Sequence, residues 1–207
     1  TSQTLLRNQF PGKGKLQIPI IPKFGERPGD FDDLLLIGFD KTHLEDQNHL
    51  DRMVHFFLYD YRFERVWKNP DNDIEKLSRY RAVLSPDFSM YLEMAPVMQL
   101  YNVFRNRWCG AYWASKGIRV IPTVNWGDES TFDFCFDGLP KESTLSISTI
   151  GVKRDSENFN TWKAGVDEMI RRLQPKTLLI YGGKVNYDYG NIKTIYYENK
   201  VTERMKG

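Results

Sequence analysis

Val54-His55-Phe56-Phe57-Leu58-Tyr59, closed by Asp60, and Ala82-Val83-Leu84, closed by Ser85-Pro86-Asp87, decide the fold reading. Neither run alternates apolar with polar residues, as a strand with one wet face would. Unbroken apolar runs are the mark of strands covered on both faces, which points to a parallel sheet. The same shape recurs in Leu34-Leu35-Leu36-Ile37-Gly38-Phe39 before Asp40 and in Ile118-Arg119-Val120-Ile121-Pro122-Thr123-Val124 before Asn125. It returns in Leu145-Ser146-Ile147-Ser148-Thr149, and in Thr177-Leu178-Leu179-Ile180-Tyr181 before Gly182-Gly183. A count of about seven strands suits a mostly parallel (β/α) barrel-like sheet, with an open doubly wound sheet as the alternative.

Parallel neighbours need crossover connections, and helical patterns fall between the runs. Asp71, Asn72 and Asp73 offer N-caps to a short helix carrying Ile74, Leu77 and Tyr80. A longer helix is expected from Ala95-Pro96, with Val97, Leu100, Phe104, Trp108 and Ala111 as its apolar stripe and Gly117 as its stop. A third runs from about Asn160 to Leu173 and ends before Pro175. Phe132, Phe134 and Phe136 alternate with polar residues like a strand, but a crossover must fit there, so Ser130 to Gly138 reads as a short helical or irregular return.

Ahead of Leu34, Pro11, Pro19, Pro22 and Pro28 exclude a regular helix and leave extended pieces. Residues 1–30 are therefore expected to form an extended, Pro-rich arm laid over a single α/β domain of residues 31–207. A chain of 207 residues is long enough to bury roughly 70% of its unfolded surface, so no staple is required. Cys109 and Cys135 lack the spacing of a redox or metal pair and read as buried, reduced core residues.

The balance of 29 Lys and Arg against 27 Asp and Glu creates no global field for nucleic acid or anionic membrane. No apolar run approaches the ~20 residues of a membrane span. The opening Thr1-Ser2-Gln3 reads as a processed start and lacks a signal pattern. These features together predict a cytoplasmic protein with no membrane partner.

Parallel strands present all their C-terminal ends to one rim, where residues distant in sequence converge. The run-ending Asp40, Asp60, Asp87 and Asn125, followed by Trp126, Asp128 and Glu129, are the candidates. Asp87, Asp60 and Glu129 carry the acid–base reading, with Asp87 foremost because Pro86 stiffens the chain just before it. Arg62, Asn125, Trp126, Asp128 and Arg105 are the candidate ligand-binding residues, the arginines by neutralising an anion. Against this stands the habit of Asp and Asn at strand ends to cap the next helix.

Arg105-Asn106-Arg107-Trp108 permits a nucleic-acid contact with a stacking indole, but the usual burial of such residues favours a core Trp beside solvated or paired arginines. His43, His49 and His55 recur at a spacing that fits no zinc motif, and no metal site is assigned. Gly12-Lys13-Gly14-Lys15 lacks the buried strand and the Ser or Thr of a phosphate loop. The motifs name no cofactor.

His55–Trp67, Leu84–Tyr91, Phe104–Trp113, Val120–Val124, Trp126–Glu129 and Phe132–Gly138 resemble the family catalogued as domain of unknown function 4417. The resemblance extends from about Leu5 to Tyr197. It implies a phage or mobile-element protein acting in the bacterial cytoplasm, and it assigns no residue a role. Three functions remain open: a rim site that binds or hydrolyses a small polar or nucleotide-like ligand, a non-catalytic protein acting on a host defence or replication factor, and nucleic-acid binding through Arg105, Arg107 and the Lys13-Lys15 arm.

Overall fold

The arm carries more local structure than its prolines predict. In the computed structural model, which describes residues 3–152 and 157–197, one helical turn, α1 (Gln3–Leu6), forms ahead of Pro11. A small antiparallel hairpin follows, β1 (Gly12–Lys13) with β2 (Ile18–Pro19). Residues 1–2 and 198–207, the ends of the expected arm and domain, lie outside the described residues.

Seven further strands carry the body: β3 (Leu36–Gly38), β4 (Met53–His55), β5 (Ala82–Leu84), β6 (Val120–Ile121), β7 (Thr144–Ser148), β8 (Thr177–Tyr181) and β9 (Lys193–Tyr197). β3 to β6 pair in sequence order, all parallel, and so do β7 to β9. Pro122 and Ser146 bridge the two sheets, with Val124 N donating to Ser146 O at 2.8 Å and Ser146 N to Pro122 O at 2.9 Å. The order never reverses, so there is no switch-point crevice of the doubly wound kind. No ladder joins β9 to β3 among the described residues, so no closed barrel is seen.

The three helices expected between the strands are present. The chain passes from β4 to β5 through the short helices α2 (Arg65–Lys68) and α3 (Ile74–Ser78). It passes from β5 to β6 through α4 (Pro96–Ser115), and from β7 to β8 through α5 (Glu157–Leu173). The β3–β4 and β6–β7 links hold only 3₁₀ turns, at Phe39–Lys41 and Glu129–Asp133. The second of these is the short return read from Ser130 to Gly138, and its phenylalanines pack as a turn rather than as a strand.

Each strand face has its own partner. The outward residues Ile37, Val54, Phe56, Val83 and Val120 pack with Trp108, Cys109 and Trp113 of α4. Leu145, Ile147, Leu178 and Ile180 pack with Trp162, Val166 and Met169 of α5. The inward residues Leu36, Met53, Leu84, Ile121, Leu179, Tyr181 and Tyr197 form one cluster drawn from both sheets. Tyr181 of β8 approaches the His55 and Phe57 rings at 4.6 and 4.8 Å, so the sheet curls until its inner faces touch.

The arm is fastened at the N-terminal ends of the strands. Arg119, just before β6, grips Asp30 with two nitrogens at 2.7 Å, and Arg81, just before β5, donates to Asp30 O at 2.9 Å. The hydroxyls of Thr144 and Thr177 both donate to Glu26 Oε1 at 2.7 Å. Gly110 and Gly138 make room for the rest: a Cβ at Gly110 would stand 2.5 Å from Ile21 Cδ1, and one at Gly138 2.2 Å from Pro19 O. The arm thus covers this end, and the C-terminal ends of the strands lie opposite.

Arg7 closes the fastening. Its guanidinium lies 3.7 Å from the Trp67 ring and 4.1 Å from the Trp108 ring, and it donates to Trp67 O at 2.7 Å. A cation held between a buried and a half-buried indole contributes ~1–2 kcal/mol. Arg7→Met, which keeps the apolar stem and removes the charge, is expected to lower the urea unfolding free energy by about that amount. It should also expose the arm to limited proteolysis first.

Candidate functional site

The ends of β4, β5 and β6 meet because a buried polar wedge from α4 holds two of them. Asn106 donates to Pro86 O at 2.8 Å and Thr123 O at 3.1 Å, and its own oxygen accepts from Ser85 Oγ and Arg107. Ser85 Oγ in turn accepts from Thr123 N at 2.7 Å. Buried amides and hydroxyls are tolerated only when so satisfied, which leaves the two strand ends one arrangement. Arg107, fully buried, donates to Asp137 O at 2.8 Å and Cys135 O at 2.5 Å, and burial lowers its pKa to about 10.

Asp87 therefore emerges beside Asn125. Asn125 Nδ2 donates to Asp87 Oδ1 at 2.7 Å and to Phe88 O at 2.9 Å. Asp60, at the start of the 3₁₀ turn Asp60–Arg62 after β4, accepts from Ser89 N at 3.1 Å and Ser89 Oγ at 2.7 Å. Residues 87–89 are thus held by side chains from both neighbouring strand ends. Burial, with the Asp60 charge adding to it, pushes the Asp87 carboxyl up to about 7, and the Asn125 bond offsets only part of this. Asp87 is partly buried, and a carboxyl there can take and give a proton near neutrality.

A second layer stands behind Ser89. Asn102 donates to Ser89 O at 2.6 Å and accepts from Arg105, whose other nitrogen bonds Glu64 Oε1 at 2.5 Å. The Arg105 guanidinium lies 3.9 Å from the Phe88 ring. Arg105 is thus buried and paired, not presented to solvent, and with Arg107 inside the core neither can meet a nucleic-acid phosphate. The reading of the two arginines as a nucleic-acid contact is corrected on that ground.

The remaining candidates lie elsewhere. Arg62 is exposed and bonds Asp40 at 3.1 Å. Trp126 fills a notch in α5, where a Cβ at Gly165 would stand 2.1 Å from the indole nitrogen. Asp128 accepts from Ser130 N at 3.0 Å and so caps the 3₁₀ turn, with Glu129 exposed next to it. Asp60, Asp87 and Asn125 are brought together, whereas Trp126 and Asp128 have partners of their own. Ser89, Asn102 and Glu64 were missed, since their roles arise from partners 13 to 41 positions away.

Cys109 and Cys135 are free and buried, and burial pushes each thiol up to about 12, which leaves them unreactive. His55 Nδ1 accepts from Phe57 N at 3.1 Å, so its ring proton sits on Nε2. No group of three potential ligand residues with metal-holding geometry occurs among the described residues. Nor is any described helix long and apolar enough to cross a membrane.

The family profile described as Domain of unknown function (DUF4417) matches residues 13–198. The chain belongs to the DUF4417 family. Among its relatives are the Gene 1 proteins of two mycobacteriophages. The DUF4417 chain is 41% identical to that of Mycobacterium phage L5 over 178 residues, which is 86% of this chain and 76% of the relative. It is 39% identical to that of Mycobacterium phage D29 over 178 residues, 86% of this chain and 64% of the relative. The DUF4417 chain thus spans less than two thirds of the D29 protein. No solved structure matches it.

Asp87 sets a pH dependence whose sign follows from its raised value. The folded chain keeps this proton to about pH 7, whereas the unfolded chain releases it near the ordinary 3.8. The contribution to stability is therefore full below the lower value and declines as pH rises through the window between the two. Asp87→Asn keeps an acceptor for Asn125 and cannot ionise. Its stability relative to wild type, from denaturant melts, is expected to improve from pH 5 to about pH 7 and to level off above it.

Proposed function

We propose that this DUF4417 protein binds a small polar, nucleotide-like ligand at the C-terminal rim of a curled, barrel-like parallel sheet in the infected bacterial cell. In this reading Asp87 is the group that exchanges a proton with the ligand. The observation that carries it is the convergence of Asp60, Asp87 and Asn125 from three successive strand ends, with one carboxyl titrating near neutrality. A carboxyl so placed serves as a general base when ionised and as an acid when protonated, which is the demand of acid–base hydrolysis. Asp60 stands beside it, held by Ser89, and Asn125 orients it. Glu129 has no part unless the turn that carries it moves toward the rim. Residues 1–30 belong, in this reading, to the same domain and close its far end.

The test is a thermal-shift panel of nucleosides, nucleoside phosphates and sugars, run at pH 6 and pH 8 on wild type and Asp87→Asn. Some members are expected to raise the wild-type melting temperature by different amounts at the two pH values, and to lose that effect in the variant. A panel without effect, or one that shifts both proteins equally, would remove the rim site.

A second reading has its own observation. Tyr59, Tyr61, Tyr91, Val97 and Met98 are exposed large side chains on the loops and helix end around the rim. Exposed aromatics of this density fit a protein partner, such as a host defence or replication factor. Under that reading Tyr61→Ser with Tyr91→Ser abolishes the effect of the protein on its host, while Asp87→Asn leaves it intact.

A further inference from the structure

We propose that a second site, the groove between the Phe39–Leu44 segment and helices α2 and α3, binds a phosphate-bearing anion. The groove is open, with a volume of about 550 Å³, and three cations from three elements line it: Arg62 from the turn after β4, Arg65 from α2 and Lys76 from α3. That volume accommodates a small ligand rather than a single water-sized ion.

The charges there do not cancel. Asp40 bonds Arg62 at 3.1 Å, and Asp73 is shared between Arg65 at 3.0 Å and Lys76 at 3.1 Å. Two carboxylates thus face three cations, and Asp73 is the more deeply buried of the two. Lys76 sits at the floor, its ammonium 4.4 Å from the Phe39 ring and its side chain only 11% exposed. Burial lowers its pKa even with Asp73 beside it, so this ammonium has lost hydration that its one carboxylate bond does not replace. An anion entering from solvent would restore it.

The mouth supplies the matching geometry. The Arg62 and Arg65 side chains are 43% and 57% exposed, so each keeps donors for a ligand beyond the carboxylate it already holds. Guanidinium forks bind phosphate oxygens two at a time, whereas an ammonium serves as a point charge. Two exposed guanidiniums and one buried ammonium lining the same groove suit a group with several oxygens around one centre. None of these residues holds Asp87, so the groove stands or falls apart from the rim.

Inorganic pyrophosphate is the probe, titrated into the full chain at low ionic strength and followed by calorimetry and by amide chemical shifts. Saturable binding is expected, with shifts at residues 39–44, 62–65 and 76. Arg65→Ala and Lys76→Met are each expected to weaken it about tenfold or more, a loss of ~1.4 kcal/mol. Arg62→Ala and Arg65→Ala alter exposed side chains, so they remain informative if Lys76→Met fails to fold. Asp40→Asn should tighten binding by removing a groove carboxylate, a gain that a merely structural role would not produce. Asp87→Asn should leave binding unchanged. The absence of saturable binding, indifference to all three cation variants, or an equal loss in Asp87→Asn would overturn the proposal.

Discussion

Asn106 uses its amide to hold two strands at once, and much of the molecule's upper half depends on it. Its nitrogen serves the carbonyls that follow β5 and β6, and its oxygen takes Ser85 and Arg107. A neutral hydrogen bond contributes only ~1 kcal/mol net, but a buried group left unpaired costs more than that. The network therefore acts less by adding stability than by excluding alternatives. Any shift of β5 against β6 would orphan several buried polar atoms together. Asp87 lies one residue beyond the bonded Pro86 and Asn125 two beyond the bonded Thr123, so the same constraint that sets the sheet sets their separation.

The opposite end of the sheet is held by charge. Asp30 receives Arg81 and Arg119, and Glu26 receives Thr144, Thr177 and Lys176. These contacts draw on residues just before or at the start of β5, β6, β7 and β8, so the arm registers four strands at once. Its carboxylates are held below their usual range, Asp30 chiefly by the Arg119 hydrogen bond and Glu26 by its hydroxyl and lysine partners acting against burial. The two ends of the sheet thus differ in kind. At one, carboxylates are paired with cations and covered; at the other, Asp60 and Asp87 lie near each other and are held by Ser89 and Asn125.

The helix α4 shows where local pattern and packing part. Its apolar stripe places Val97, Leu100, Phe104, Trp108 and Ala111 on one side, and Trp108 and Ala111 are indeed buried, but Val97 is 68% exposed. The buried side is instead built from Gln99, Asn102, Asn106 and Arg107 around Val103, Cys109 and Trp113. Periodicity counts hydrophobicity and is blind to a polar face that finds its partners inside the protein. The edge strand β9 is not among the apolar runs read from the sequence, and only Tyr197 of Lys193–Tyr197 is buried.

Sequence by itself determined that the strands are parallel, because apolar runs without alternation need cover on both faces. It likewise determined that Asp60, Asp87 and Asn125 fall at strand ends, and that both cysteines belong to the core. Tertiary structure alone decided which rim residues meet. Trp126 is claimed by the notch at Gly165 and Asp128 by its own turn, while Ser89 joins Asp60 and Asn102 from 29 and 13 positions away. Strand order places a residue at a rim, but its neighbour there depends on the curl of the sheet and on the helix behind it. Those are fixed by contacts between residues far apart in the chain, which no local pattern contains.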